Sequence, residues 1–199
     1  MKASLPNDLE IWDKFRAGDR AAFARIFELH YGQLYSYGKQ FLTDVSLTED
    51  AIQDLFISLW RTRENLSQVD NIKFYLFRCL RRNIRRISQR EQRTQSQDIF
   101  LVSEDNGHLS QSPDFLLGSD EPLLTRRLKA IVAELPKRQR EVVMLRYYEN
   151  FDTDEIALIM GITEKTVRNT LFNAMTTLRS STSLLKVCLG MALFFLLFS

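Results

Sequence analysis

Phe23, Ile26, Phe27, His30, Leu34, Tyr37 and Phe41 recur along the chain with the spacing of an α-helix. That spacing lays them on one helical stripe and is incompatible with the strict alternation of a half-buried strand. The same period returns along most of the sequence, and helix breakers are scarce, with 7 glycines and 4 prolines in 199 residues. An all-α fold follows, with no alternating strand pattern and no internal repeat. Leu9, Trp12 and Phe15 begin a first helix that Gly18 ends, and Asp19 is placed to cap a second. Ser46 and Glu49 fit a Ser-x-x-Glu capping box and predict a third helix running to about Arg63. Beyond the polar loop "ENLSQVDN" a fourth helix is expected from about Ile72 to Gln89.

The helical pattern lapses between Thr94 and Glu121, which are rich in Ser, Gln, Asp, Asn and Gly and hold no Lys or Arg. Such a stretch reads as an acidic linker. Helical spacing resumes at Leu123 and continues to about Arg179. The expected organisation is therefore a helical domain over 8–93, a flexible linker over 94–121, a second helical domain over 122–183 and an apolar tail over 184–199. Within the tail, "VCLGMALFFLLF" makes a helix of only about 18 Å, short of the roughly 30 Å hydrocarbon core. Packing on the protein or weak membrane contact suits it better than a span. Cys79 and Cys188 lie far apart and form no metal spacing or disulfide framework, and "MKASLPNDLEIW" lacks a signal-peptide core. A cytoplasmic location is expected.

Charge is more telling in its placement than in its total of +2. On the third helix Ile52, Leu55, Phe56 and Leu59 share one face, while Glu49, Asp50, Gln53 and Asp54 gather on another. Taken alone, those acids are a solvated face near a helix N-terminus; they also suit a basic partner surface. On the fourth helix Arg78, Arg81, Arg82, Arg85 and Arg86 occupy one arc, opposite Ile72, Leu76, Cys79, Leu80, Ile84 and Ile87. Crowded like charges repel unless a polyanion meets them, so nucleic acid is the favoured partner. Phe74, Tyr75 and Phe77 precede the arginines, either to stack on unpaired bases or to fill the core.

The segment "FDTDEIALIMGITEKTVRNTLFNAMTTLR" has the marks of a helix-turn-helix. Thr153 or Asp152 caps a first helix, Ala157 allows close crossing, Gly161 serves the turn and Ile162 plugs it. Thr163 then caps a helix whose inward face is Val167, Leu171, Ala174 or Met175, and Leu178. Its outward N-terminal face carries Glu164, Lys165, Thr166, Arg168 and Asn169, residue types that read base edges and phosphates in a major groove.

Together these features resemble the extracytoplasmic-function sigma factors, the two-domain branch of the sigma-70 family. "TEDAIQDLFISLW" is similar to that family's acidic-Gln-acidic-aromatic motif, "FYLFRCLRRNIRR" to the helix after it, and the segment from "ELPKRQREVVMLRYYENF" through the helix-turn-helix to its second domain. The resemblance implies that Glu49, Asp50, Gln53, Asp54 and Phe56 dock on the clamp helices of core RNA polymerase. It implies that the loop from about Glu64 to Lys73, with Arg78, Arg81, Arg82, Asn83, Arg85 and Arg86, opens and holds the −10 element. Thr163, Glu164, Lys165, Thr166, Arg168 and Asn169 would read the −35 element, and the linker would thread towards the RNA channel. Promoter DNA and core polymerase are the implied partners, with an anti-sigma factor as a further candidate. The chain departs from the family pattern at Asn173 (often basic), Asn150 (often glycine) and Tyr75 (often tryptophan).

No catalytic role, cofactor, metal or small-molecule substrate is expected. His30 and His108 lack a Ser, Cys or metal-ligand partner at useful spacing, and no glycine-rich phosphate loop occurs. A helix-turn-helix regulator acting without polymerase would explain the second domain but leave the acidic and arginine faces idle. A membrane-associated helical adaptor would explain only the tail.

Overall fold

The structure is a computed structural model that describes residues 8–42, 44–98 and 130–180. Most of the expected linker, including His108, and the apolar tail lie outside the described residues. The chain divides into two compact units, Met1–Phe115 and Leu116–Ser199. Every regular element among the described residues is helical, as the apolar spacing requires.

The first unit packs α1 (Asp8–Arg16), α2 (Arg20–Gly38), α3 (Val45–Thr62), a 3₁₀ turn (Arg63–Asn65) and α4 (Ile72–Asp98). Asp19 caps α2 as expected, its Oδ1 accepting from the Ala21 and Ala22 amides at 2.7 and 3.2 Å. The cap of α3 differs from the Ser46 box: Asp44 holds that position and its Oδ1 accepts from the Ser46 amide at 2.8 Å. Both residues are good caps, and the earlier one captures the first free amide, so the helix starts upstream. Gly38 closes α2 against α3; a Cβ there would meet Thr48 Cγ2 at 2.8 Å. α4 continues to Asp98, past the expected end near Gln89 and the domain boundary at 93. The residues after Gln89 are polar but include helix-favouring Arg, Gln and Glu, with no Gly or Pro to stop the helix.

The core of this unit is strongly aromatic. Trp12, Phe15, Tyr37 and Phe77 are fully buried. Trp12 meets Tyr75 edge-on at 5.4 Å, Tyr37 lies 5.2 Å from Phe77, and Phe23 lies 5.0 Å from Trp60. Such offset and edge contacts are the favoured ring geometries. Trp12 Nε1 donates to the Ser67 carbonyl at 3.0 Å, tying α1 to the loop that leads into α4.

The second unit has helical residues at 130–133, then α5 (Lys137–Val143), which runs into a π-helical turn (Met144–Tyr148). α6 (Thr153–Met160) and α7 (residues 164–180) follow. Its core is mainly aliphatic: Leu135, Val143 and Ala174 are buried together, with Val132, Met175 and Leu178 packed against them. The chain leaves the π turn through Asn150, whose φ of 62° confirms that asparagine serves where a glycine is common. Arg146 Nη1 braces this corner, donating to the Phe151 carbonyl at 2.9 Å and to Asp152 Oδ1 at 2.8 Å. Asp152 caps α6, and Glu155 reaches back to its amide at 2.8 Å to complete a capping box. Gly161 follows at φ 66°, and the Ile162 amide bonds to the Ala157 carbonyl at 3.0 Å. The turn between α6 and α7 therefore has the left-handed residue and the return hydrogen bond that end a helix sharply.

Candidate protein and nucleic-acid interfaces

The acidic face of α3 lies on the surface. Asp50, Gln53 and Asp54 are exposed and Glu49 is half-buried, while Ala51, Ile52, Leu55 and Leu59 are buried on the other side. Phe56 belongs with the buried set at 4% exposure, its ring 4.8 Å from Phe27 and 6.0 Å from Phe23. It supports the acidic face from beneath and offers no surface for direct docking.

On α4 the arginines stand clear of the core. Arg78, Arg82, Arg85 and Arg86 are exposed, and Arg81 and Asn83 are half-buried. Among the described residues no carboxylate forms an ion pair with Arg78, Arg82, Arg85 or Arg86. Opposite them Ile72, Leu76, Leu80 and Ile84 are buried. Lys73 is half-buried, its Nζ 5.7 Å from the Phe77 ring centre. Phe77 is a core residue, which removes it as a stacking platform for bases, whereas Phe74 and Tyr75 are half-buried, Tyr75 with its ring edge-on to Trp12. Burial pushes the Tyr75 hydroxyl up to about 12, and the neighbouring Cys79 adds to the shift. The Cys79 thiol is itself raised, chiefly by burial.

One arrangement was not legible in the sequence. A groove of about 610 Å³ opens between α3 and α4, lined by Asp54, Ile57, Ser58, Arg61, Thr62, Arg82, Asn83 and Arg86. Asp54 therefore shares a groove with the arginine face, whereas Asp50 and Gln53 do not line it. Residues 54, 57, 58, 61 and 62 follow helical spacing along α3, a signal that names the face but not the helix opposite.

In the second unit the outward face of α7 is fully formed. Glu164, Lys165, Thr166, Arg168 and Asn169 are all exposed, above the buried Val167 and Ala174. Thr163 Oγ1 accepts from the Thr166 amide at 3.2 Å, and the two hydroxyls lie 2.8 Å apart. Arg168 Nη1 is held by Glu164 Oε2 at 3.0 Å, one helical turn back. A short, rigid turn thus presents a charged helix face suited to a DNA groove.

Residues 26–94 match the description "Sigma-70 region 2", and residues 125–178 match "Sigma-70, region 4". Together these segments make up more than half of the chain. The chain belongs to the sigma-70 family. The sigma-70 region 2 segment takes in α3 and α4 with their groove, and the region 4 segment takes in the helix-turn-helix. The ECF RNA polymerase sigma factor SigL of Mycobacterium tuberculosis is 26% identical over 165 residues, spanning 82% of this chain and 90% of that protein. CarQ of Myxococcus xanthus, an RNA polymerase sigma factor, is 27% identical over 157 residues, spanning 78% and 86%. CnrH, solved with the cytosolic domain of CnrY, shares the fold at TM-score 0.59 and 17% identity, covering 88% of this chain and 97% of its own. RpoE of Bartonella quintana, solved with the anti-sigma factor NepR, does so at TM-score 0.58 and 21% identity, covering 79% and 94%. This sigma-70 protein is a specificity subunit for transcription initiation by RNA polymerase. No described helix is long and apolar enough to cross a membrane.

Proposed function

We propose a division of labour by surface. Asp50 and Gln53, with Glu49 beside them and Phe56 as their internal support, dock on core polymerase. The loop from Glu64 to Lys73 and the face formed by Arg78, Arg81, Arg82, Asn83, Arg85 and Arg86 hold the opened −10 element. Residues Thr163 to Asn169 read the −35 element as duplex. Asp54 sits between the first two surfaces and belongs to both. An anti-sigma factor is a proposed regulator, and the chain is proposed to work without catalysis of its own.

The observation that carries this reading is the exposed arginine face of α4 within the region 2 segment. Phosphates lined up along it would relieve its repulsion. The test is run-off transcription with purified core enzyme on a randomised promoter library, using wild type and Asp50→Lys. Wild type should select −10 and −35 sequences, and Asp50→Lys should lose co-purification with core while retaining helical content. Asp50 is preferred to Asp54 as the probe, because reversing Asp54 would also disturb the arginine groove. Undiminished co-purification of Asp50→Lys would overturn the docking assignment.

A further inference from the structure

One side chain on the outward face of α7 is not explained by charge. Phe172 is 72% exposed, more than any other large apolar side chain among the described residues. Single exposed apolar residues are ordinary, so its position matters more than its exposure. The inward face of α7 is filled by Val167 and Ala174, with Met175 and Leu178. Phe172 instead follows Lys165 and Arg168 at i, i+3 and i+7, which places all three on one stripe. From Lys165 to Phe172 the helix advances about 10 Å, almost two turns, so the ring stands well beyond Lys165 along the same stripe.

A phenyl ring neither donates nor accepts a hydrogen bond, so phosphate oxygens and the polar base edges gain nothing from it. The apolar group that base edges display in the major groove is the thymine C5-methyl, and phenylalanine is among the side chains that contact it. We infer that Phe172 is a specificity-determining residue that recognises a thymine methyl group in the −35 element, at a base step other than the one met by Lys165. The inference rests on the assignment of α7 to the −35 duplex. It adds an apolar reading position to a face whose other members act through charge and hydrogen bonds.

The test uses the full chain with core enzyme on a promoter selected from the randomised library. Each −35 thymine is replaced in turn by deoxyuridine, which removes only the methyl group, and initiation by wild type is compared with Phe172→Ala and Phe172→Leu. Burial of one methyl-sized group predicts about a fourfold loss for wild type at one position. Phe172→Ala should lose that sensitivity, while Phe172→Leu retains part of it. A uracil profile of Phe172→Ala that superimposes on wild type overturns the inference, as does a selected −35 element without a sensitive thymine. If Phe172→Ala loses core binding with its uracil profile intact, the ring serves a protein partner and the inference is also overturned. Failure of the parent assignment looks different: base changes throughout the −35 element would then leave wild-type initiation unchanged.

Discussion

α4 and α7 both present arginine to solvent, but they hold it differently. On α4, Arg78, Arg82, Arg85 and Arg86 are exposed with no ion-pair partner among the described residues. On α7, Arg168 is tethered to Glu164 at 3.0 Å. A row of untethered guanidinium groups can follow a flexible backbone wherever its phosphates fall, and each contact releases counterions. A tethered guanidinium is biased towards one orientation, which suits a base edge in a duplex of fixed geometry. The first arrangement favours grip and the second favours reading.

The broadest effect should come from removing grip. Arg82→Ala with Arg86→Ala takes two cations from the groove face. If each meets a single-strand phosphate, the salt slope of holoenzyme binding to a −10 fork template falls by about 1.4. At 0.1 M salt, with 1 M as reference, that is about 25-fold weaker binding. The loss should be nearly independent of −10 sequence. An unchanged slope would mean that these arginines are simply solvated and that the contrast with α7 fails.

Arg168→Ala should behave in the opposite way. Loss of one bidentate base contact costs about 1–3 kcal/mol, concentrated at a single −35 position. Sequence selection on −35 duplex libraries separates the outcomes: uniform weakening would make Arg168 another phosphate anchor. Glu164→Gln is the milder companion. Freeing Arg168 from an exposed pair should change affinity by about 0.5 kcal/mol or less. It should also broaden base preference at the Arg168 position.

The placement of α7 depends on its turn, so Gly161→Ala tests the proposed −35 reading without altering a residue of the proposed −35 face. Nothing lies within 4 Å of a Cβ built there, but φ is +66°. The cost is therefore backbone strain of about 1–2 kcal/mol. Hydrogen exchange of α6 and α7 amides should accelerate accordingly, and −35 selectivity should soften before −10 binding does.

How much of this the sequence disclosed depended on whether its cause was local. Asp19 and Gly161 were readable because each acts on amides or dihedrals within a few residues, whereas Asp152 and Thr153 both stood as caps of α6 and the folded chain selects Asp152. Asp44 was missed because two good capping residues lie two positions apart and only the path of the chain chooses between them. The fate of Tyr75 and Phe77 stayed open until tertiary packing placed Phe77 against Tyr37 and Tyr75 against Trp12. The groove joining Asp54 to Arg82 and Arg86 required knowing which faces of α3 and α4 meet. Phe172 lies off the inward stripe of Val167, Leu171, Ala174 and Leu178, but how far its ring stands into solvent is shown only by the folded helix.

The smallest expected effect concerns the ground on which α4 stands. His30 has a buried Nδ1 with no hydrogen-bond partner. Its pKa lies below the ordinary 6.5, first because burial disfavours the charged ring and also because Lys73 of α4 repels it, against raising contributions from Gln33 and Asp8. The unfolded chain therefore holds the His30 proton more tightly than the folded chain. Stability contributed by this site is present above about pH 6.5 and is lost as pH falls from there towards the depressed folded pKa. Both tryptophans, Trp12 and Trp60, lie in the first unit, so their fluorescence follows its unfolding alone. Between about pH 7 and pH 5 the wild-type unfolding midpoint should fall more steeply than that of His30→Gln, which carries no titrating ring. Parallel curves would mean that His30 is hydrated in solution. The stability of the first unit would then be insensitive to protonation of this ring.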